Sequence, residues 1–227
     1  MKRQLRLPLN RPVVYRREDF VVSSSNEAAW GRLWARETWP GGVLALVGPE
    51  GSGKTHMARL WAQETGAATP KPGATDLSDL VGRALLIDHV EDWDDPEGLF
   101  HLINIAAGPG ASLLLTARTR PIEWPAAVPD LRSRLNALEV AEIEEPDDAA
   151  LTAIIRKLFK ERHAVPADDL IPYLLPRIER SAAAVRALVV ELDEKAAAER
   201  REINRALAQE MFKIDNVTID MFGSGDA

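Results

Sequence analysis

Polar and apolar positions along this chain fall into two regimes. Up to about residue 143, short unbroken apolar runs alternate with stretches of helical period; beyond residue 146 only the helical period remains. Val43-Leu44-Ala45-Leu46-Val47, Ala84-Leu85-Leu86-Ile87-Asp88 and Ala111-Ser112-Leu113-Leu114-Leu115-Thr116 are nearly continuous in apolar character. Runs of that kind predict strands of a parallel sheet covered on both faces. A last strand is predicted over 136–143. Between the strands, a helix over 27–37 places Trp30, Leu33 and Trp34 on one core-facing side, with Ser25 or Asn26 as its N-cap. A second, over 56–65, turns Met57, Leu60 and Trp61 inward and stops at Gly66. Asp94-Asp95-Pro96-Glu97 opens a third, with Leu99, Leu102, Ile103 and Ala106 inward. Residues 76–82 suggest a short helix, and Asp130 to Leu135 a helical turn carrying Arg132 and Arg134.

The second regime predicts a small all-helical unit. Leu151, Ile154, Ile155 and Leu158 form a stripe on a helix over 147–163, and a further helix covers 168–178 with Pro172 in its first turn. Ser181 caps a long helix bearing Val185, Leu188, Val189 and Leu192, and residues 203–212 suggest a last one. The expected organisation is an N-terminal segment (1–17), an α/β unit (18–145), a helical lid (146–212) and a tail (213–227). No internal repeat is visible.

The strand at 43–47 runs into Gly48-Pro49-Glu50-Gly51-Ser52-Gly53-Lys54-Thr55 and then into a helix. This is G-x-x-x-x-G-K-[ST] in the strand–loop–helix setting that its chemistry requires. Glycines let backbone N–H groups wrap an anion, and the helix N-terminus adds positive potential. Lys54 can reach the outer phosphates, and the Thr55 hydroxyl can ligate Mg²⁺. Asp88 ends the second apolar strand on the side where α/β sheets bind ligands, placed to hold Mg²⁺ through water opposite Thr55. Cofactor contacts are therefore expected from Gly48, Gly51, Ser52, Gly53, Lys54 and Thr55. The residue after Asp88 is His89, and the next carboxylate is Glu91. Hydrolysis commonly uses a second acid there to orient water, so turnover by this site is expected to be weak or absent.

Charge changes the picture modestly. The 227 residues hold 28 Lys plus Arg against 35 Asp plus Glu, a net of −7. That argues against a dominant electrostatic grip on nucleic acid. The absence of cysteine excludes disulfides and thiolate metal sites and suits a reducing cytoplasm. No apolar stretch approaches membrane-spanning length, and the basic N-terminus lacks the apolar core of a signal peptide. The N-terminal Gln4-Leu5-Arg6-Leu7-Pro8-Leu9 alternates leucine with other residues, and Pro8 bars it from a central strand. On pattern alone it is an edge arm, or a peptide whose spaced leucines fill pockets in another protein.

An α/β nucleotide unit followed by a helical lid resembles AAA+ proteins. Phe20-Val21-Val22, Asn26, the two phosphate-site elements, Leu115-Thr116, Ser133-Arg134-Leu135 and Ala184-Val185-Arg186-Ala187-Leu188 come in the order seen in the DnaA/Hda family. Gln4-Leu5-Arg6-Leu7-Pro8-Leu9 looks like the sliding-clamp-binding peptide of the Hda-type members, which favours the peptide reading. The resemblance runs from Gln4 to about Phe212. It stops after the lid, so no dedicated DNA-binding domain is expected.

The resemblance implies a regulator that binds ADP (or ATP) with Mg²⁺ and docks on the DNA polymerase III sliding clamp through Gln4, Leu5, Leu7, Pro8 and Leu9. It would stimulate ATP hydrolysis by the initiator DnaA and so prevent re-initiation. By position, Arg134 matches the arginine finger, Arg186 the lid's nucleotide-sensing arginine, and Val22 with Asn26 the segment beside the adenine. His89 and Arg118 depart from the family pattern, standing where acids or amides are usual. Homodimerisation stays open. Two other readings stay open as well: an autonomous ATPase of helicase-loader type, and a non-catalytic DnaA-like adaptor.

Overall fold

A computed structural model describes residues 15–126 and 129–212. The expected clamp peptide (Gln4, Leu5, Leu7, Pro8, Leu9) and the tail at 213–227 lie outside the described residues. In chain order the elements are α1 (Glu27–Trp34), β1 (Val43–Val47), α2 (Lys54–Thr65), β2 (Ala84–Ile87), α3 (Pro96–Ala106), β3 (Ser112–Ala117), α4 (Pro129–Asn136) and β4 (Glu139–Glu142). There follow α5 (Asp148–Glu161), α6 (Leu170–Leu174), α7 (Ala182–Glu199) and a final helix, α8, over 205–212.

Among the described residues the four strands form one parallel sheet in the order β2-β3-β1-β4. Ala68 extends its β2 edge by a single parallel bridge to Leu85. The apolar runs are explained by what covers them. Val43, Ala45 and Val47 pack with Leu85, Leu113 and Leu115 against Leu99, Leu102, Ile103, Leu131 and Leu135 from α3 and α4. Leu44, Leu46, Leu86 and Leu114 point the other way, onto Leu33 of α1 and Met57, Ala58 and Trp61 of α2. Alternation puts successive side chains on opposite faces, so a strand covered on both sides must be apolar throughout.

The helices after residue 147 enclose a separate core of Leu151, Ile155, Phe159, Leu170, Leu174, Val185, Val189, Leu192 and Leu207. Ser181 caps α7 as expected, its Oγ accepting from the Ala184 N–H at 3.0 Å. Asp95 and Asp147 cap α3 and α5 in the same way. Their carboxylates are held below the usual range, first by the Gly98 N–H at Asp95 and by the Ser24 hydroxyl at Asp147.

Several expected elements are shorter. The helix expected to reach residue 37 stops at Trp34, because Arg32 offers its carbonyl to Trp39 Nε1 (2.9 Å) and its guanidinium to Thr38 and Glu139. The chain then closes into a 3₁₀ turn over Arg36–Thr38. Residues 76–82 contain only a 3₁₀ turn, Ser78–Leu80, with Gly82 at positive φ behind it. The helix expected over 168–178 contracts to α6, five residues that include Pro172. Asn26 does occupy the N-cap of α1, but its side chain ties the preceding loop instead. Its Oδ1 accepts from the Ser23 N–H (2.9 Å) and its Nδ2 donates to the Val21 carbonyl (3.0 Å). Among the described residues no helix is long and apolar enough to cross a membrane.

Candidate functional site

The loop after β1 folds so that the lid rests on it. Gly51 has φ of 72°, and a Cβ there would meet Ser181 Cβ at 2.5 Å. The Gly51 carbonyl accepts from the Ala182 N–H at 3.1 Å, joining the loop to the start of α7. Gly48 is equally constrained: a Cβ would stand 2.4 Å from the Ile143 carbonyl oxygen. Glycine is required at both places for close backbone approach.

Lys54 begins α2 with only 6% of its surface exposed. Its ammonium donates to the Gly48 and Pro49 carbonyls, each at 2.7 Å. Burial pulls the Lys54 pKa down, offset in part by Glu91, Glu50 and Asp88 and reinforced by Arg118. The cost of that buried charge is present at neutral pH and lifts only as pH rises through the folded and then the unfolded lysine values. Ser52 Oγ, in the same loop, is buried with no hydrogen-bond partner. A buried ammonium and an orphaned hydroxyl facing one loop are both groups that an anion would satisfy.

Loop, lid and N-terminal segment enclose a cavity of about 480 Å³. Gly51, Ser52, Gly53, Lys54 and Thr55 form its floor, and Arg186 of α7 reaches in from the lid. Asn26 lines it from the opposite lip together with Phe20 and Val21. Val22 is not among the residues that line it. Burial alternates along this extended segment, so Val21 faces the cavity while Val22 is 44% exposed. Gly48 lies behind the floor, against Ile143.

Other parts of the wall were not signalled by sequence. Tyr15 and Phe20 set their rings edge-on to His56 at 5.3 Å, and Phe20 stacks on Trp30 at 4.8 Å. Lys157 and Leu158 contribute from α5. Flat apolar faces beside a phosphate loop suit a base, and the cations suit its phosphates.

Asp88 lies where the sequence puts it, at the end of β2, with its side chain 6% exposed. Oδ1 accepts from Thr116 Oγ1 at 2.7 Å and from Thr55 Oγ1 at 3.3 Å, and His89 Nδ1 is 3.5 Å away. Oδ2 faces the Arg59 guanidinium at 3.2 Å. Thr116, wholly buried, also accepts from the His89 N–H at 2.8 Å and so holds His89 at φ of 63°. A hydrated Mg²⁺ between Thr55 and Asp88 would need Oδ1, which already accepts from Thr116 and Thr55, and would lie beside the Arg59 guanidinium on Oδ2. The residues present do not fit a tightly held divalent cation.

Arg118 follows β3 and pairs with Glu50 at 3.6 Å across the cavity mouth, while its N–H donates to Glu91. Arg134 is elsewhere. It is exposed on α4, off the cavity wall, and its guanidinium makes no hydrogen bond or ion pair with a described residue.

No protein-family profile matches the chain. Its sequence is similar to the chromosomal replication initiator protein DnaA of Lactobacillus helveticus, 24% identical over 226 residues, covering 86% of this chain and 50% of that protein. DnaA of Sulfurimonas denitrificans is 24% identical over 203 residues, covering 77% and 47%. The chain therefore spans about half the length of the curated relatives it matches. Among solved structures it resembles domain III of the Thermotoga maritima replication initiation protein DnaA, with a TM-score of 0.71 at 20% identity over 86% of this chain and 94% of that one. It also resembles a replication initiator DnaA bound to AMPPCP and single-stranded DNA, with a TM-score of 0.64 at 19% identity, over 93% and 75%. The sheet, the phosphate loop and the helical lid thus compose an α/β AAA+ fold, the fold of domain III of DnaA.

Proposed function

We propose that the chain is a nucleotide-bound regulator of replication initiation. Carrying ADP, and held on the DNA-loaded sliding clamp through Gln4, Leu5, Leu7, Pro8 and Leu9, it presents Arg134 to the ATP site of DnaA. Hydrolysis there rises, and re-initiation is prevented. The observation that carries this reading is the Arg134 guanidinium, exposed on α4 and uncommitted among the described residues. A cation left outside its own cavity suits work at a neighbour's γ-phosphate.

The chain's own cavity supports the other half of the reading. Arg118 and His89 stand where acids or amides serve hydrolysis in the family, and Glu91 is engaged by the Arg118 N–H. Nucleotide binding is supported by the built phosphate loop and by likeness to a DnaA bound to AMPPCP.

The test is DnaA ATPase measured with and without this protein and DNA-loaded clamp. DnaA turnover should rise at least about tenfold, as for a trans-supplied cation, only when all three are present. Turnover of equal size without DnaA would make the chain an autonomous ATPase. Calorimetry supplies a second check. Charge-assisted contacts to phosphate are worth about 1.5–3 kcal/mol, so Lys54→Ala should weaken ADP binding about 10- to 150-fold. Equal affinity in mutant and parent would remove Lys54 from the site.

A further inference from the structure

We infer that Arg59 takes the place of the metal ion at this site, so that nucleotide binding here needs no divalent cation. The inference rests on the reading of the cavity as a nucleotide site. Arg59 stands four residues after Thr55 on α2, on the same helix face. From there it reaches across to the end of β2. Its Nε is 3.3 Å and a terminal nitrogen 3.2 Å from Asp88 Oδ2.

The other Asp88 oxygen is filled by Thr116 at 2.7 Å and Thr55 at 3.3 Å. Both oxygens of a nearly buried carboxylate are thus committed to protein donors. Introducing Mg²⁺ would set a doubly charged ion beside the Arg59 guanidinium, a repulsion of like charges. Thr55 would have to turn from Asp88 Oδ1, and the ion would stand against the Arg59 guanidinium held on Oδ2.

The charge a metal would bring is already present. Lys54, Arg118 and Arg186 line the cavity from the loop, from beyond β3 and from the lid. Glu50 and Glu91 oppose them, but Glu50 sits at the exposed mouth and Glu91 accepts from the Arg118 N–H. Arginine and lysine can neutralise phosphate oxygens directly, arginine with a planar fork that matches them. Arg59 thereby fixes Asp88 as a structural anion that anchors Thr55 and Thr116 and leaves the phosphates to the cations.

The test compares ADP affinity by calorimetry in excess Mg²⁺ and in excess EDTA. For the parent protein the two values should agree within about threefold, well inside the tenfold that 1.4 kcal/mol represents. Arg59→Ala frees the carboxylate, and Mg²⁺ should then strengthen ADP binding by about tenfold or more. Asp88→Asn added to Arg59→Ala should abolish that gain. The parent measurement stands alone if Arg59→Ala folds poorly, and Arg59→Gln then replaces it. A tenfold loss of parent affinity in EDTA would overturn the inference, as would a folded Arg59 variant no more responsive to Mg²⁺ than the parent. Absence of ADP binding in either buffer would overturn both this inference and the nucleotide reading beneath it.

Discussion

Arg134→Ala is expected to keep nucleotide and clamp binding yet lose nearly all stimulation of DnaA hydrolysis. The two arginines of α4 have been given different work. Arg132 turns back onto its own unit, donating to the Ile122 carbonyl at 2.8 Å and to the Trp124 carbonyl. Arg134 does not, although Asp130 lies one turn earlier on the same helix and could have paired with it. Leu131 and Leu135 anchor α4 on the sheet, so the helix is held while Arg134 stays in solvent. In phosphoryl transfer the γ-phosphate oxygens gather negative charge, and a cation supplied across an interface is worth about 10³–10⁵ in rate in GTPases. The loss should equal the stimulation itself, at least about tenfold, with that range as its upper bound. Arg134→Lys should rescue poorly, because an ammonium lacks the planar fork. Assays at saturating clamp and ADP measure the effect. A mutant stimulating at full rate would leave the chain a non-catalytic adaptor.

Replacing Leu7 and Leu9 together by alanine should remove clamp binding. A buried leucine contributes about 1.5–3 kcal/mol, so the pair carries about 3–6 kcal/mol, or roughly a hundredfold or more in affinity. ADP affinity should be untouched, since the groups expected to hold the nucleotide are Lys54 and its neighbours in the phosphate loop and Arg186 of the lid. Fluorescence anisotropy of labelled protein with purified clamp reads the first effect, and calorimetry the second. If protein lacking residues 1–10 bound the clamp normally, the segment would be an arm of this chain and nothing more.

What sequence could foresee divides along physical lines. Five consecutive apolar residues in β1 can be satisfied only by two covered faces, and glycines at positive φ only by a tight loop. Those features are local, so β1 and the phosphate loop were legible. Ser181 was legible for the same reason, since a cap bonds three residues ahead. Which of Val21 and Val22 turns toward the cavity was not legible, because the phase of an extended segment is set by what it packs on. Arg59 was missed because nothing within α2 marks it; its meaning comes from Asp88, on another element. The aromatic wall of Tyr15, Phe20 and His56 is likewise made by contacts between separate elements.

The place of β1 in the sheet bears on how the molecule comes into being. It is the earliest strand among the described residues, yet it lies inside the sheet, with Leu44 beside Leu114 on one edge and Glu139 on the other. As the chain leaves the ribosome, an apolar strand must wait with both edges bare until β3 and then β4 have been made. No hairpin partner can shelter it meanwhile, because parallel neighbours need long crossovers. A nascent chain stalled before residue 139 therefore carries an open, sticky edge, the kind that chaperones hold and other chains seize. Closing β4 onto β1 covers that edge and moves the end of the sheet to β4, a strand that carries Glu139 and Glu142.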